Sequence, residues 1–529
     1  MSARTDPQSF TWFTKRDTTT QLVTFLTQAK LVRVNRVTQE PEPWLAESSA
    51  RSEDGRRYTI KLRPGITFAD GHPFTADDVV FSFEAAYDRG SVIGDALQVN
   101  GKRLDVKAVD ASTVVITFPE TFAPGLRLLD NLPILPKHKL DAALRSGAFG
   151  TAWSANTPVA DITGLGPFVL AEYVPGQRLV FTRNDHYFRK DANGTALPYL
   201  DRVVVSIVPD QDAEMLRLEA GQSDMTTSEI RSEDYAPLRH AADAGRVQLL
   251  DLGVGYDPDS LWFNLKPGAL KGDPRAAWLQ RDELRQAIAL AVDRQTFVDT
   301  VYLGAAVPVF GPITPANKKW YDAALPHPPH DPARARQLLA SIGLTDRNGD
   351  GVLEDGGGAP ARFTLLTQKG LTSLERGSSV IRDELKKIGI VVDVAALEGN
   401  ALTKRFLLDQ DYDAVYFRVA ATDTDPAVNA DYWFSSGSSH VWNLEQKTPA
   451  TAWESQIDAL MARQISALDD AERKRLFDEV QKVFAEHLPV INFAAAKIYV
   501  AASTRATNLT PALLRPQLLW AADSIAVTP

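Results

Sequence analysis

The stretch "LRPGITFADGHPFTADDVVFSFE", Leu62 to Glu84, gathers Asp70, His72, Asp77, Asp78 and Glu84 into a short span. Carboxylates around one imidazole suit a metal site or a general acid/base pair, and they equally suit turns and helix caps. The local pattern favours the second reading. Tyr58, Ile60 and Leu62 alternate with Thr59, Lys61 and Arg63, the period of a half-buried strand. Pro64-Gly65 fits a type II turn, with proline pre-set at the first corner and glycine free to take positive φ at the second. Ile66 and Phe68 resume the alternation before Asp70-Gly71 turns the chain again. Thr75 and Asp78 then form a capping box ahead of Val79, Phe83, Ala86 and Tyr87 on one helical face. Asp70 is thus a turn residue, Asp78 a cap, and Asp77 a first-turn acid favoured by the helix dipole.

Outward from this stretch, the chain has 529 residues, 44% hydrophobic and 23% charged. That length exceeds what one core supports, so two or more lobes are expected. With 57 basic against 67 acidic residues the net charge is −10, which argues against nucleic acid as a partner. No apolar run reaches the roughly 20 residues of a membrane span. The start, "MSARTDPQSFTWFTKRD", lacks the apolar core of a signal peptide, which leaves a cytosolic protein or an exported one whose signal is absent from this chain. The absence of cysteine excludes disulfides, thiolate metal sites and cysteine nucleophiles.

Further along, Thr163–Phe188 reads as strand, Pro175-Gly176 hairpin, strand, and Val203–Val208 as an apolar strand. Helices are expected over Glu214–Ala220, Asp282–Gly304, Pro332–Ile342, Val380–Ile388 and Glu472–His487, the last stopping before Pro489. Ile390–Val394 and Tyr412–Val419 read as strands. Alternating helices and strands predict an α/β fold with more than one sheet.

Catalytic signatures are missing: the chain has no GxSxG elbow, no HExxH helix and no GxxxxGK[ST] loop. "GLG" at Gly164–Gly166 runs into proline. "DRNGDGVLED" (Asp346–Asp355) imitates a calcium loop through Asp346, Asn348 and Asp350, but its twelfth position is Gly357 where a bidentate glutamate belongs, so a solvated turn is expected. Only His327 and His330 lie close together, in "LPHPPH", which cannot present both rings from a regular helix. The segment "ATDTDPAVNADYWFSSGSSHVWN" (Ala421–Asn443) mixes Tyr432, Trp433, Phe434 and Trp442 with Asp423, Asp425 and Asp431. Such a mixture suits either an aromatic-walled site for an organic ligand or a long loop pinned to its domain.

Six segments, in order, resemble the family 5 extracellular solute-binding proteins of ABC transporters, which include dipeptide-, oligopeptide- and nickel-binding proteins. They are "PWLAESSARSEDGRRYTIKLRPGITFADGHPFTADDVVFSFE", "GLGPFVLAEYVPGQRLVFTRNDHYF", "LRQAIALAVDRQTFVDTVYLGAAVP", "DPARARQLLASIG", "ELKKIGIVVDV" and "DYDAVYFRV". The resemblance implies a bilobal periplasmic-binding-protein-like fold, type II with an extra inserted subdomain, that closes on its ligand by hinge bending. Lobe I would take residues 1–43, 165–258 and 490–529, the insert 44–164 and lobe II 259–489, with hinges near 256–264 and 487–493. It implies a receptor, not an enzyme, that holds a peptide or similar small organic solute and delivers it to an ABC permease. No cofactor, nucleic acid or oligomer is expected, and the location would be periplasmic or extracytoplasmic, with a lipid anchor on the precursor left open. Candidate ligand contacts are Thr422, Asp423, Asp425, Tyr432, Trp433, Trp442, Arg418 and Asn264.

The pattern departs from the family at one point. Peptide-binding members place an aspartate three residues before the acidic-Pro pair, to meet the peptide's amino terminus. Aligned on Asp425-Pro426, that position is Thr422, with Asp423 one step later. Threonine cannot offset a buried ammonium. Either Asp423 serves, or the ligand is an oligosaccharide or another non-peptide solute. Nickel is not expected, since His440 alone flanks this loop closely. The reading from another class is a hydrolase using a carboxylate pair such as Asp70 and Asp77.

Overall fold

Leu62–Glu84 folds as its local chemistry directs. In the computed structural model, which describes residues 1–420 and 423–528, Arg57–Leu62 is a strand that buries Tyr58, Ile60 and Leu62. Gly65 follows Pro64 with φ +72° and Gly71 follows Asp70 with φ +84°. The helix Ala76–Ala86 starts at Thr75, whose backbone N–H donates to Asp78 Oδ2 at 2.9 Å, and it buries Val79, Phe83 and Ala86. A single helix, Lys137–Arg145, answers the acids of this stretch one by one. Its His138 meets Asp70 at 2.9 Å, Lys137 meets Asp77 at 3.4 Å and Arg145 meets Glu84 at 2.9 Å. The Lys137 N–H donates to Asp78 Oδ1 at 3.0 Å. His72 stacks on His138, ring centroids 3.9 Å apart.

By contact density the chain divides into two units, Met1–Leu252 with Tyr499–Pro529, and Gly253–Ile498. Within the first, Ala46–Arg51, Arg57–Leu62, Thr113–Thr117 and Asp105–Asp110 form an antiparallel sheet in that order. A second sheet runs Ser2–Ala3, Arg202–Ile207, Arg178–Arg183, Phe168–Val174, its first pair parallel. The hairpin expected at Pro175-Gly176 pairs Val174 with Arg178, and Gly176 has φ +69°. Segments far apart in sequence complete this unit: Thr226 N donates to Ala501 O at 2.9 Å and Ile230 N to Tyr499 O at 2.9 Å.

In the second unit, Asp259–Phe263 lies between Ala414–Arg418 and the opening part of the strand Val490–Ser503, antiparallel to both. Ala414–Arg418 continues in parallel to Arg362–Gln368, which pairs in parallel with Val391–Leu397. The segments 256–264 and 487–493 contain ladder-bonded strand residues of this sheet, so hydrogen bonds on both edges hold Asp259–Phe263. The helix expected over Asp282–Gly304 is two helices, Asp282–Ala291 and Arg294–Tyr302. Asp293 breaks it by capping, its carboxylate accepting from Gln295 N at 3.0 Å. Leu284, Ile288, Phe297 and Val301 from the pair are at most 1% exposed in the core. The helix expected at Val380–Ile388 extends over Thr372–Lys387. Ala452–Ser466 and Ser232–Asp243 are helices that apolar periodicity did not reveal.

Candidate functional site

The expected ligand contacts lie in the second unit and separate into distinct settings. Arg418 ends the strand Ala414–Arg418, where neighbouring Asp259 is fully buried. Arg418 Nε donates to Asp259 Oδ1 at 3.1 Å and its Nη2 to Tyr302 Oη at 2.6 Å. Tyr302 and Tyr416 both donate to Asp259 Oδ2, the latter at 3.0 Å. Burial first, and the Asp259 charge second, push both phenols well above the usual tyrosine range. The two tyrosines therefore remain donors, and with Arg418 they surround the Asp259 carboxylate. Arg418 keeps 26% of its side chain exposed.

Thr422 lies outside the described residues. Asp423 and Asp425 follow it in a tight turn: Asp423 Oδ1 accepts from Asp425 N at 2.8 Å, and Asp423 O from Asn429 Nδ2 at 2.7 Å. Asp425 is engaged by Arg473, whose two terminal nitrogens reach its two oxygens at 2.9 and 2.6 Å, both partners buried. A bidentate buried pair leaves that carboxylate little capacity for a second cation.

Tyr432, Trp433 and Trp442 form an edge-on aromatic cluster with the helix Asp470–His487. Trp433 packs on Phe477 at 5.0 Å and on Phe484 at 5.9 Å, and Trp442 on Phe484 at 5.9 Å. Burial pushes the Tyr432 phenol upward. Trp433 and Trp442 are buried, and these rings pin the loop to the unit. Asn264 is also buried, its Nδ2 donating to Gln410 O at 3.2 Å. In the loop that imitates a calcium site, oxygens of Asp346, Asp350 and Glu354 come within 4.8 Å of one another. Asp346 accepts from Gly349 N at 2.7 Å and Gly351 N at 3.0 Å, while Asn348 donates to Asp350 at 3.0 Å. Gly357 supplies no side chain at the twelfth position.

The first unit holds a cleft lined by Phe25, Gln28, Lys30, Arg33, Trp44 and Trp520 that sequence reading missed. At its wall the Arg33 guanidinium lies 3.3 Å from the centre of the Trp44 ring and 4.9 Å from that of Trp520. Arg33 Nε donates to Glu42 at 2.5 Å and Nη1 to Trp520 O at 3.0 Å. Asp130 is shared by Lys30 at 3.1 Å and Arg36 at 2.8 Å. These cations hold the Asp130 carboxyl below its usual range against its burial, and burial lowers the Lys30 ammonium. Tyr187 and Arg189 both donate to Asp523, the former at 3.0 Å. Trp44 sits in one of the segments that carry the resemblance, but Trp520, which shares Arg33 with it, is at the other end of the chain. No local pattern could have joined them.

Among the described residues, no helix is long and apolar enough to cross a membrane. The family described as bacterial extracellular solute-binding proteins, family 5, matches residues 40–440. A probable ABC transporter-binding protein of Deinococcus radiodurans is 28% identical over 504 residues, covering 91% of this chain and 84% of that protein. The oligopeptide-binding protein AppA of Bacillus subtilis is 28% identical over 470 residues, covering 84% and 76%. In structure, the ABC transporter substrate-binding protein CtaP of Listeria monocytogenes matches with a TM-score of 0.80 at 23% identity, covering 100% of this chain and 98% of that one. The fold is thus the bilobal α/β fold of these proteins.

Proposed function

Because this chain belongs to the bacterial extracellular solute-binding proteins of family 5, we propose that it is the extracytoplasmic receptor of an ABC importer. It captures a peptide or similar small organic solute and delivers it, as a monomer, to a membrane permease. The family match over residues 40–440 carries this reading. The name of the Bacillus subtilis relative, an oligopeptide-binding protein, supports a peptide as the solute.

In the second unit we assign ligand contact to Arg418 and Asp423. Arg418 is held in place through Asp259 while remaining partly exposed. Asp423 takes the part of the amino-terminus anchor one residue late. Trp433, Trp442 and Asp425 support the loop that carries Asp423. The separate partners of Asp70 and Asp77 favour a structural role for both over a shared catalytic one.

The test is a thermal-shift screen of di- to pentapeptides and oligosaccharides, followed by mass spectrometry of each stabilising mixture. A peptide that raises Tm and is recovered intact supports the receptor reading. Stabilisation by oligosaccharides alone would replace the peptide assignment and leave the receptor standing. Cleavage products that vanish in Asp77→Ala would overturn the receptor itself.

A further inference from the structure

The cleft of the first unit is unbalanced in charge. Lys30, Arg33, Arg36 and Arg189 converge on it or on its wall, and the carboxylates in ion-pair reach among the described residues are Glu42, Asp130 and Asp523. Arg33 has Glu42 and Arg189 has Asp523, whereas Lys30 and Arg36 divide Asp130 between them. One positive charge is left over where the Lys30 and Arg36 side chains are only 17% and 10% exposed. A desolvated charge without its counterpart is costly, so an entering monoanion would bind with more than its ordinary strength.

Two further features narrow the chemistry. The cleft is faced by the rings of Phe25, Trp44 and Trp520, which suits a flat apolar body beside the anionic group. Gln28 lines the same cleft at 7% exposure; among the described residues its Oε1, turned away from the opening and buried, has no hydrogen-bond partner, and its Nε2 reaches Phe10 O at 3.5 Å. A buried acceptor of this kind calls for a donor.

We propose that this cleft is a second ligand site, taking a small aromatic carboxylate that carries a hydroxyl group. The carboxylate faces Lys30 and Arg36, the ring lies against the aromatic wall, and the Gln28 amide, held by that one long bond, turns to present Oε1 to the hydroxyl. The site lies wholly within the first unit and stands whether or not the transported solute is a peptide.

The test uses the full chain with 4-hydroxybenzoate, benzoate, 4-hydroxybenzyl alcohol and inorganic phosphate, read by calorimetry and thermal shift. 4-Hydroxybenzoate should bind saturably and raise Tm by about 2 °C or more at ten times its Kd. Benzoate should bind about tenfold more weakly for want of one hydrogen bond. The neutral alcohol and phosphate should give no saturable response. Lys30→Met, which leaves Arg36 paired with Asp130, should weaken 4-hydroxybenzoate at least tenfold. Gln28→Leu, which changes no charge and keeps the proposal testable if Lys30→Met fails to fold, should erase the difference between 4-hydroxybenzoate and benzoate. No saturable binding, equal binding of phosphate, or undiminished binding in a folded variant would overturn the proposal.

Discussion

At Asp425 a buried carboxylate depends on one arginine. Replacing Arg473 by methionine would strip the bidentate partner and leave the charge uncompensated, at a cost of about 3–5 kcal/mol. Urea unfolding should show it, and the double change Arg473→Met with Asp425→Asn should recover part of the loss. Trp433→Ala empties a site packed by two phenylalanines and should also cost about 3–5 kcal/mol. Its ligand binding must therefore be measured at a temperature where the variant remains folded. Asp423→Ala, by contrast, should weaken the stabilising peptide about tenfold in calorimetry while the circular dichroism spectrum stays that of the parent. Both substitutions fall in the loop that the sequence marked out. The distinction between them was not legible there, because turn formers around aromatics look alike whether the rings face a ligand or a helix some forty residues later.

Neighbouring acids at one helix start show how far elements can be read locally. Asp78 holds Thr75 N and Lys137 N, and Asp78→Ala would orphan both, lowering stability by about 2–3 kcal/mol. Among the described residues Asp77 has one ion-pair partner, an exposed Lys137, so Asp77→Ala should leave Tm within about 1 °C. The capping box, the two turns and the hairpin were legible because each is settled within a few residues. The division at Asp293 was not, since apolar spacing runs through it and only the cap interrupts. The helix Ala452–Ser466 went unread although its start carries a capping box as local as the first, Thr451 with Glu454, and Glu454 also meets His440 in the preceding loop. Burial raises the Glu454 carboxyl, and hydrogen bonds from His440 and Thr451 overcome this to leave it below its usual value. A depressed folded pKa contributes stability above the unfolded value, near 4.3, that is lost as pH falls through the folded value. Glu454→Gln should accordingly flatten the fall of Tm between about pH 5 and 3.

For the whole molecule, a receptor returns its ligand unchanged, so stabilisation persists for as long as ligand is present. At a hundredfold excess over Kd the gain is about 2.7 kcal/mol, on the order of 5 °C in Tm. Repeated scans after prolonged incubation should give the same value, whereas a hydrolase would lose it as its substrate is consumed. The family was legible in six ordered segments spread along the chain. The cleft of the first unit was not, because its walls are brought together from the two ends of the sequence.

That arrangement sets an order of assembly. Residues 253–498 emerge from the ribosome as one uninterrupted block, complete in themselves. Residues 1–252 do not: Thr226 and Ile230 await Ala501 and Tyr499, and the Arg33–Trp44 stack awaits Trp520. At about 5–20 residues per second, roughly 10–50 s of translation separates the first unit's long opening portion from its closing strand. Through that interval the part made first remains the part unfinished, and the part made second can finish before it.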